Sequence, residues 1–300
     1  MRPETSVAVA EDPLEVERRA QLHGALLMIA AMALFAVMAV CSRVATRTMG
    51  SAQLVLVRFT ITGLGVLAFW AAGQMSIAPK NLRLLALRGL FGGGAVLLYF
   101  IALAKCRDAG TATLLNYVSP IFTSVFAWFF LKERPTFRLA VGVVLAFAGV
   151  LLVLRTPQGF TLGPGEIAGM CSAVFSGFAV VTIRAARGYD NAPTILLAFS
   201  IGGGLIALPF AVPTWVSVTG DVWLLALAVG VTSLFAQLMM THAFGLVTAS
   251  HGALFQQLTP VFTFTLGAAL LHEEMGWLSV IGALLTLSAV AYAAMPARRA

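Results

Sequence analysis

TATLLNYVSPIFTSVFAWFFLKERP, residues 111–135, decides how this chain is organised, because it returns as HGALFQQLTPVFTFTLGAALLHEEM at residues 251–275. One offset of 140 residues sets Pro120 on Pro260, Leu131 on Leu271 and Glu133 on Glu273. The same offset sets Asn116 on Gln256, Ser119 on Thr259 and Gly142 on Gly282. A mid-segment proline and a closing Leu-x-Glu, both duplicated in register, mark two copies of one unit.

Working outward, the rest of the chain is as apolar as this stretch. It is 60% hydrophobic and 10% charged, against about 45–50% and about 25% in soluble domains. Too little polar surface remains to dissolve 300 residues in water, so the solvent is a lipid bilayer. The net charge of +7 does not point to nucleic acid. The basic residues stand singly or in small groups between apolar runs, not on one polar face interleaved with aromatics. Cys41, Cys106 and Cys171 lack metal-ligand spacing and read as free thiols in small packed positions. Residues 1–21 are polar and acid-bearing, unlike a signal peptide, and read as a short cytoplasmic tail, disordered or lying on the surface.

A helix needs roughly 20 apolar residues to cross a bilayer. Ten segments qualify: 23–44, 52–72, 86–104, 110–131, 137–154, 165–186, 193–212, 222–243, 248–270 and 276–295. Glycine runs at 92–94 and 202–204 weaken the third and seventh. The expected fold is an all-α membrane protein with ten transmembrane helices. A tail (1–21) precedes a first five-helix unit (22–155), a linker (156–164), a second unit (165–296) and a tail (297–300). With the N-terminus inside, the inner loops hold thirteen Lys and Arg residues and the outer loops five, which puts both termini in the cytoplasm. Arg88 counts among the inner-loop residues in that tally; Arg58 lies within a helix. Five is odd, so the second copy enters upside down. The basic loop LKERPTFR then lies inside and its copy LHEEMGW, without Lys or Arg, outside. Inverted repeats around a central, mid-membrane cavity are a transporter architecture.

These residues carry a family resemblance. Pro120 followed by Leu131-Lys132-Glu133-Arg134, Pro260 followed by Leu271-His272-Glu273-Glu274, the glycine-bearing helices after each, Val57-Arg58-Phe59, and the opening Gly24 and Gly165 resemble the ten-helix EamA-type members of the drug/metabolite transporter superfamily. The match runs from about His23 to Met295 by helix length. The resemblance implies a basket of helices around a central cavity, with the fifth and tenth helices as a peripheral or dimer-forming pair. Among its members the aromatic amino-acid exporters are similar. It implies a small-molecule substrate, export across a bacterial inner membrane, a lipid-embedded monomer or homodimer, no nucleic acid and no cofactor.

Polar groups inside a bilayer are costly and tend to face a cavity or another helix. Asn116, Tyr117 and Ser119 precede Pro120, and Gln256, Gln257 and Thr259 precede Pro260. Each proline frees a carbonyl upstream and is expected to act as a hinge, with Asn116 and Gln256 beside the freed carbonyls. They either receive substrate there or satisfy those carbonyls themselves. Tyr99 in the third helix aligns with Met239 in the eighth, beside Gln237 and His242. Either they line a cavity or they pack helices. Phe35 and Ser176, in the first and sixth helices, complete the substrate-facing set.

Arg58 lies seven residues past Ser51, roughly 10 Å below the outer surface. It binds a substrate carboxylate, snorkels or caps backbone carbonyls. Glu133 and Glu273 end their helices, where a carboxylate opposes the macrodipole. Each is expected to cap the next helix, starting at Thr136 or Gly276, with a loop ion pair to Lys132 or Arg134. His242 is expected to lie deep in its helix and His251 at the interface. An intramembrane enzyme needs a cluster of acids, histidines or cysteines at one depth. Only His272-Glu273-Glu274 approaches one, and it lacks the second histidine of H-E-x-x-H. Catalytic residues and a metal are therefore not expected. An uptake carrier for another metabolite remains the alternative direction.

Overall fold

The computed structural model describes residues 13–105, 115–154, 163–271 and 276–294. Among the described residues all regular structure is helical: α1 Pro13–Ala45, α2 Ser51–Ala71, α3 Leu82–Lys105, α4 Ser119–Leu131, α5 Phe137–Leu154, α6 Pro164–Ala186, α7 Ala192–Ala211, α8 Gly220–Ala243, α9 Ala249–Gln256, α10 Leu258–Leu271 and α11 Trp277–Ala294. Seven spans among them are long and apolar enough to cross a membrane, the broken α9–α10 segment counting as one, and three further helices are apolar but shorter. Trp128, Phe129, Phe130 and Leu224 point away from the bundle and are exposed. In water that surface would be prohibitive; in lipid it is the expected exterior. The linker 156–164 up to Leu162, residues 110–114 of the fourth expected helix, Cys106, Glu273 and the tail 297–300 lie outside the described residues.

Three sequence expectations change. The N-terminal tail is not irregular throughout, since α1 starts at Pro13. Proline is at home in a first helical turn, Glu15 complements the macrodipole there, and Arg19 pairs with Glu15 at 3.7 Å one turn on. The glycine-rich α3 and α7 are unbroken, because their glycines serve helix approach. A Cβ on Gly93 would stand 2.9 Å from the Gly203 Cα, and one on Gly202 would stand 2.6 Å from the Gly89 Cα. Cys171 is exposed on α6, not packed.

The packing order exposes the duplication. α1 lies on α8 and α3 on α6; α2 touches α7 and α8, and α7 touches α2 and α3; α4 lies on α6 and α10 on α1; α5 pairs with α11. Exchanging the two halves of the chain turns each of these pairings either into another member of the set or, for α2–α7 and α5–α11, into itself. Residues 140 apart also meet each other directly. The Phe59 and Phe199 rings meet edge-on at 5.0 Å, Gln257 donates to the Tyr117 carbonyl at 2.7 Å, and Thr286 leans on the Ala146 carbonyl at 3.4 Å. The α5–α11 seam is self-complementary: Gly149 faces Gly282 and Thr286, while Gly142 faces Ala289 and Ala293.

Candidate functional site

Two helix breaks, one in each half of the chain, meet each other. The first lies at Tyr117-Val118, just before α4, and the second at Gln257, between α9 and α10. The expected hinges Pro120 and Pro260 are therefore not kinks inside continuous helices. Each sits in the opening turn of the half-helix after its break, where a missing N–H costs nothing. The carbonyl left over at Tyr117 is met by the Gln257 side chain, which is 1% exposed. Gln257 thus satisfies backbone from the opposite half, and its own Oε1 is buried with no partner among the described residues.

The neighbouring candidates gather around this clasp. Asn116 donates to the Ser172 hydroxyl at 3.3 Å, and Ser172 passes the chain to the Ala95 carbonyl at 2.9 Å. Neither amide, Asn116 or Gln256, caps a freed carbonyl of its own helix: Gln256 points its amide at the Met240 sulfur, 3.3 Å away. Thr259 donates to the Met32 sulfur at 3.1 Å and hydrogen-bonds Tyr117, which Tyr99 adjoins. Ser119 is buried, its carbonyl taken by Thr123 at 3.0 Å. Phe35 and Met239 pack half-buried against the largest apolar cluster. Ser176, half-buried, stands four residues beyond Ser172 on α6. Beside them lies an aromatic wall, with Phe126 stacked on Phe178 at 3.8 Å and Phe178 on Phe91 at 4.9 Å. Phe126 packs against the same apolar cluster as Phe35 and Met239, and a lining of ring faces and polar tips suits a ligand with an apolar body and a polar end.

Other candidates sit elsewhere. His242 is exposed in the last turn of α8, so it is not a deep group; its position at the helix end keeps it near water. Gln237 is buried and accepts from Arg88 at 3.4 Å. Arg58 does not snorkel: its Nε donates to Ser233 at 2.7 Å on α8. The loop tally misplaces Arg88, which is 4% exposed inside α3. The available signal is Gly92, one turn on, whose missing Cβ leaves room for the Arg88 guanidinium.

Glu133 closes one end of the bundle, but not as expected. It pairs with Arg184 at 3.2 Å instead of Lys132 or Arg134, and it accepts from the Ala249 N–H at 2.9 Å, capping α9 instead of α5. The α5 start is capped by Thr136, which accepts from the Leu139 N–H at 3.2 Å. Arg184 also donates to the Phe244 and Gly245 carbonyls at 3.0 and 3.2 Å. One ion pair therefore ties the ends of α4, α6 and α8 to the start of α9. Glu133→Ala is expected to lower stability by about 1–2 kcal/mol, discounted for partial exposure. Thermal unfolding in detergent checks this, and Glu133→Ala with Arg184→Ala should be clearly less than additive.

The chain matches the family model described as the EamA-like transporter family at residues 22–155 and 163–295. It is 28% identical over 271 residues to the pseudopaline exporter CntI of Pseudomonas aeruginosa, covering 89% of this chain and 94% of that protein. It is 30% identical over 224 residues to solute carrier family 35 member G1 of Mus musculus, covering 69% of this chain and 61% of the mouse protein. A solved crystal structure superposes with a TM-score of 0.79 at 21% identity, over 90% of this chain and 96% of the other, a likeness of fold.

Proposed function

Because the chain belongs to the EamA-like transporter family, we propose that it is a secondary transporter exporting small amphipathic metabolites, aromatic and hydrophobic amino acids foremost, across a bacterial inner membrane. The observation that carries the reading is the pair of helix breaks clasped by Gln257 and Tyr117. Irregular backbone at membrane depth is tolerated where it is buried or lines a cavity, and broken helices are where carriers hold their solutes. In this reading ten crossings form two inverted repeats with both termini cytoplasmic, and the protein is a monomer or homodimer. The exchanged packing pairs and the contacts between residues 140 apart support it. The solute's apolar body lies against Phe91, Phe126, Phe178 and Tyr99, and its polar end meets Asn116, Ser172 and Gln256.

Transport proceeds by alternating access. The end tied by Glu133 and Arg184 is packed shut by the largest apolar cluster, which includes Met28, Phe244, Val247 and Leu254. That end opens when the halves rock about the two breaks and the ion pair parts.

The test is counterflow in sealed proteoliposomes loaded with unlabelled phenylalanine and offered labelled phenylalanine without an ion gradient. Saturable uptake above empty liposomes is the expected outcome. Absence of uptake, repeated under a proton gradient, removes aromatic amino acids as substrates.

A further inference from the structure

We infer that Arg58 and Arg88 together form an anion-binding site that takes the carboxylate of the transported solute. The inference rests on the transport reading and names the substrate class.

A buried cation in a membrane helix needs a counter-charge. Among the described residues these two have none: the ion pairs there are Arg19–Glu15 and Arg184–Glu133. A guanidinium carries five N–H donors. Arg58 uses its Nε on Ser233 at 2.7 Å. Arg88 donates to Gln237 across a long 3.4 Å, and its Nε is buried with no partner among the described residues. Ser233 and Gln237 are one turn apart on α8, about 6 Å along the axis, so the two heads stand one above the other. They are close enough to repel each other.

The heads are nonetheless held in place. The Phe199 ring lies 3.7 Å from the Arg88 guanidinium carbon, and Gly92 provides the space beside it. The other half of the molecule shows that packing does not demand these charges. At the equivalent positions, 140 residues on, stand Ala198 and Ala228, in helices that make the same exchanged pairings. Two like charges brought together, Arg88 buried and Arg58 half-buried, oriented and left with spare donors are built for an anion from outside the chain. Planar guanidinium forks match a carboxylate. A lipid phosphate has the same chemistry, but Arg88 is 4% exposed and enclosed by α3, α7 and α8, so the source is a solute.

The test uses purified full-length protein in neutral detergent, read by thermal unfolding during titration. The probes are 3-phenylpropionate, phenylalanine and succinate, the neutral control is 3-phenylpropionamide, and the lipid arm is phosphatidylglycerol. The carboxylates are expected to give saturable protection and the amide none. Arg88→Gln and Arg58→Gln are each expected to weaken carboxylate binding roughly ten- to hundredfold, with Arg88→Lys intermediate. Equal protection by the amide, no protection by any carboxylate, or protection by phosphatidylglycerol alone overturns the site. The comparison of carboxylate with amide on the unmodified protein needs no variant to fold. Carboxylate protection without phenylalanine counterflow would remove aromatic amino acids as the transported solute and leave the anion site standing; counterflow with equal amide protection would do the reverse.

Discussion

Gly149→Leu is expected to leave almost no folded, monodisperse protein after extraction into detergent. A Cβ at this position would stand 2.6 Å from the Gly282 carbonyl oxygen and 2.8 Å from the Thr286 nitrogen, both backbone atoms that cannot swing away. Overpacking a core costs about 1–3 kcal/mol where side chains can yield. Here the whole of α11 has to lift from α5, so roughly 3 kcal/mol is a lower bound. The seam is self-complementary, so Gly142→Leu should fail in the same way but less severely, meeting the Ala293 methyl at 2.7 Å and the Ala289 carbonyl at 3.2 Å. Gly220→Ala, with nothing within 4 Å of the added carbon, is the neutral control. Size-exclusion profiles of the three variants check the order.

Gln257→Leu should be the most damaging change that still folds. It strips the amide donor from the Tyr117 carbonyl, at a residue that is 1% exposed. An orphaned buried acceptor costs about 1–3 kcal/mol, more when no water can replace the donor. The bond joins the two halves of the chain, and in the proposed mechanism the loss falls on the element about which they rock. Transport is expected to fall at least about tenfold, the kinetic equivalent of about 1.4 kcal/mol. The unfolding midpoint should drop as well, and Gln257→Asn, shorter but still a donor, should recover little. Unchanged counterflow in Gln257→Leu would show that the clasp is incidental.

The repeat is legible in the chain because both halves make matching helix pairings. Pro120 and Pro260, Gly142 and Gly282 carry that signal. What the letters conceal depends on facing and on distance along the chain. A count of basic residues near segment ends puts Arg88 in a loop because it does not register which way a side chain turns; Arg88 turns inward over Phe199. Reasoning from adjacent residues gives Glu133 partners in its own loop, yet Arg184 is 51 residues away, brought close only when α4 packs on α6. The breaks at Tyr117 and Gln257 precede their prolines because a helix can begin with proline more easily than contain it. The end of α8 is legible, since the expected segment 222–243 closes at the same Ala243; reading His242 as deep neglects that it stands in the last turn.

Alternating access about the two breaks is tested most directly by cysteine reactivity from each side of the membrane. Asn116→Cys and Gln256→Cys would be made on a background with Cys41, Cys106 and Cys171 replaced by serine. A membrane-impermeant maleimide would then be applied to right-side-out and inside-out vesicles. Both positions should react from both sides, with added transported solute slowing labelling in each orientation. Reactivity confined to one side, unaffected by any solute, would contradict a site that the two halves expose in turn.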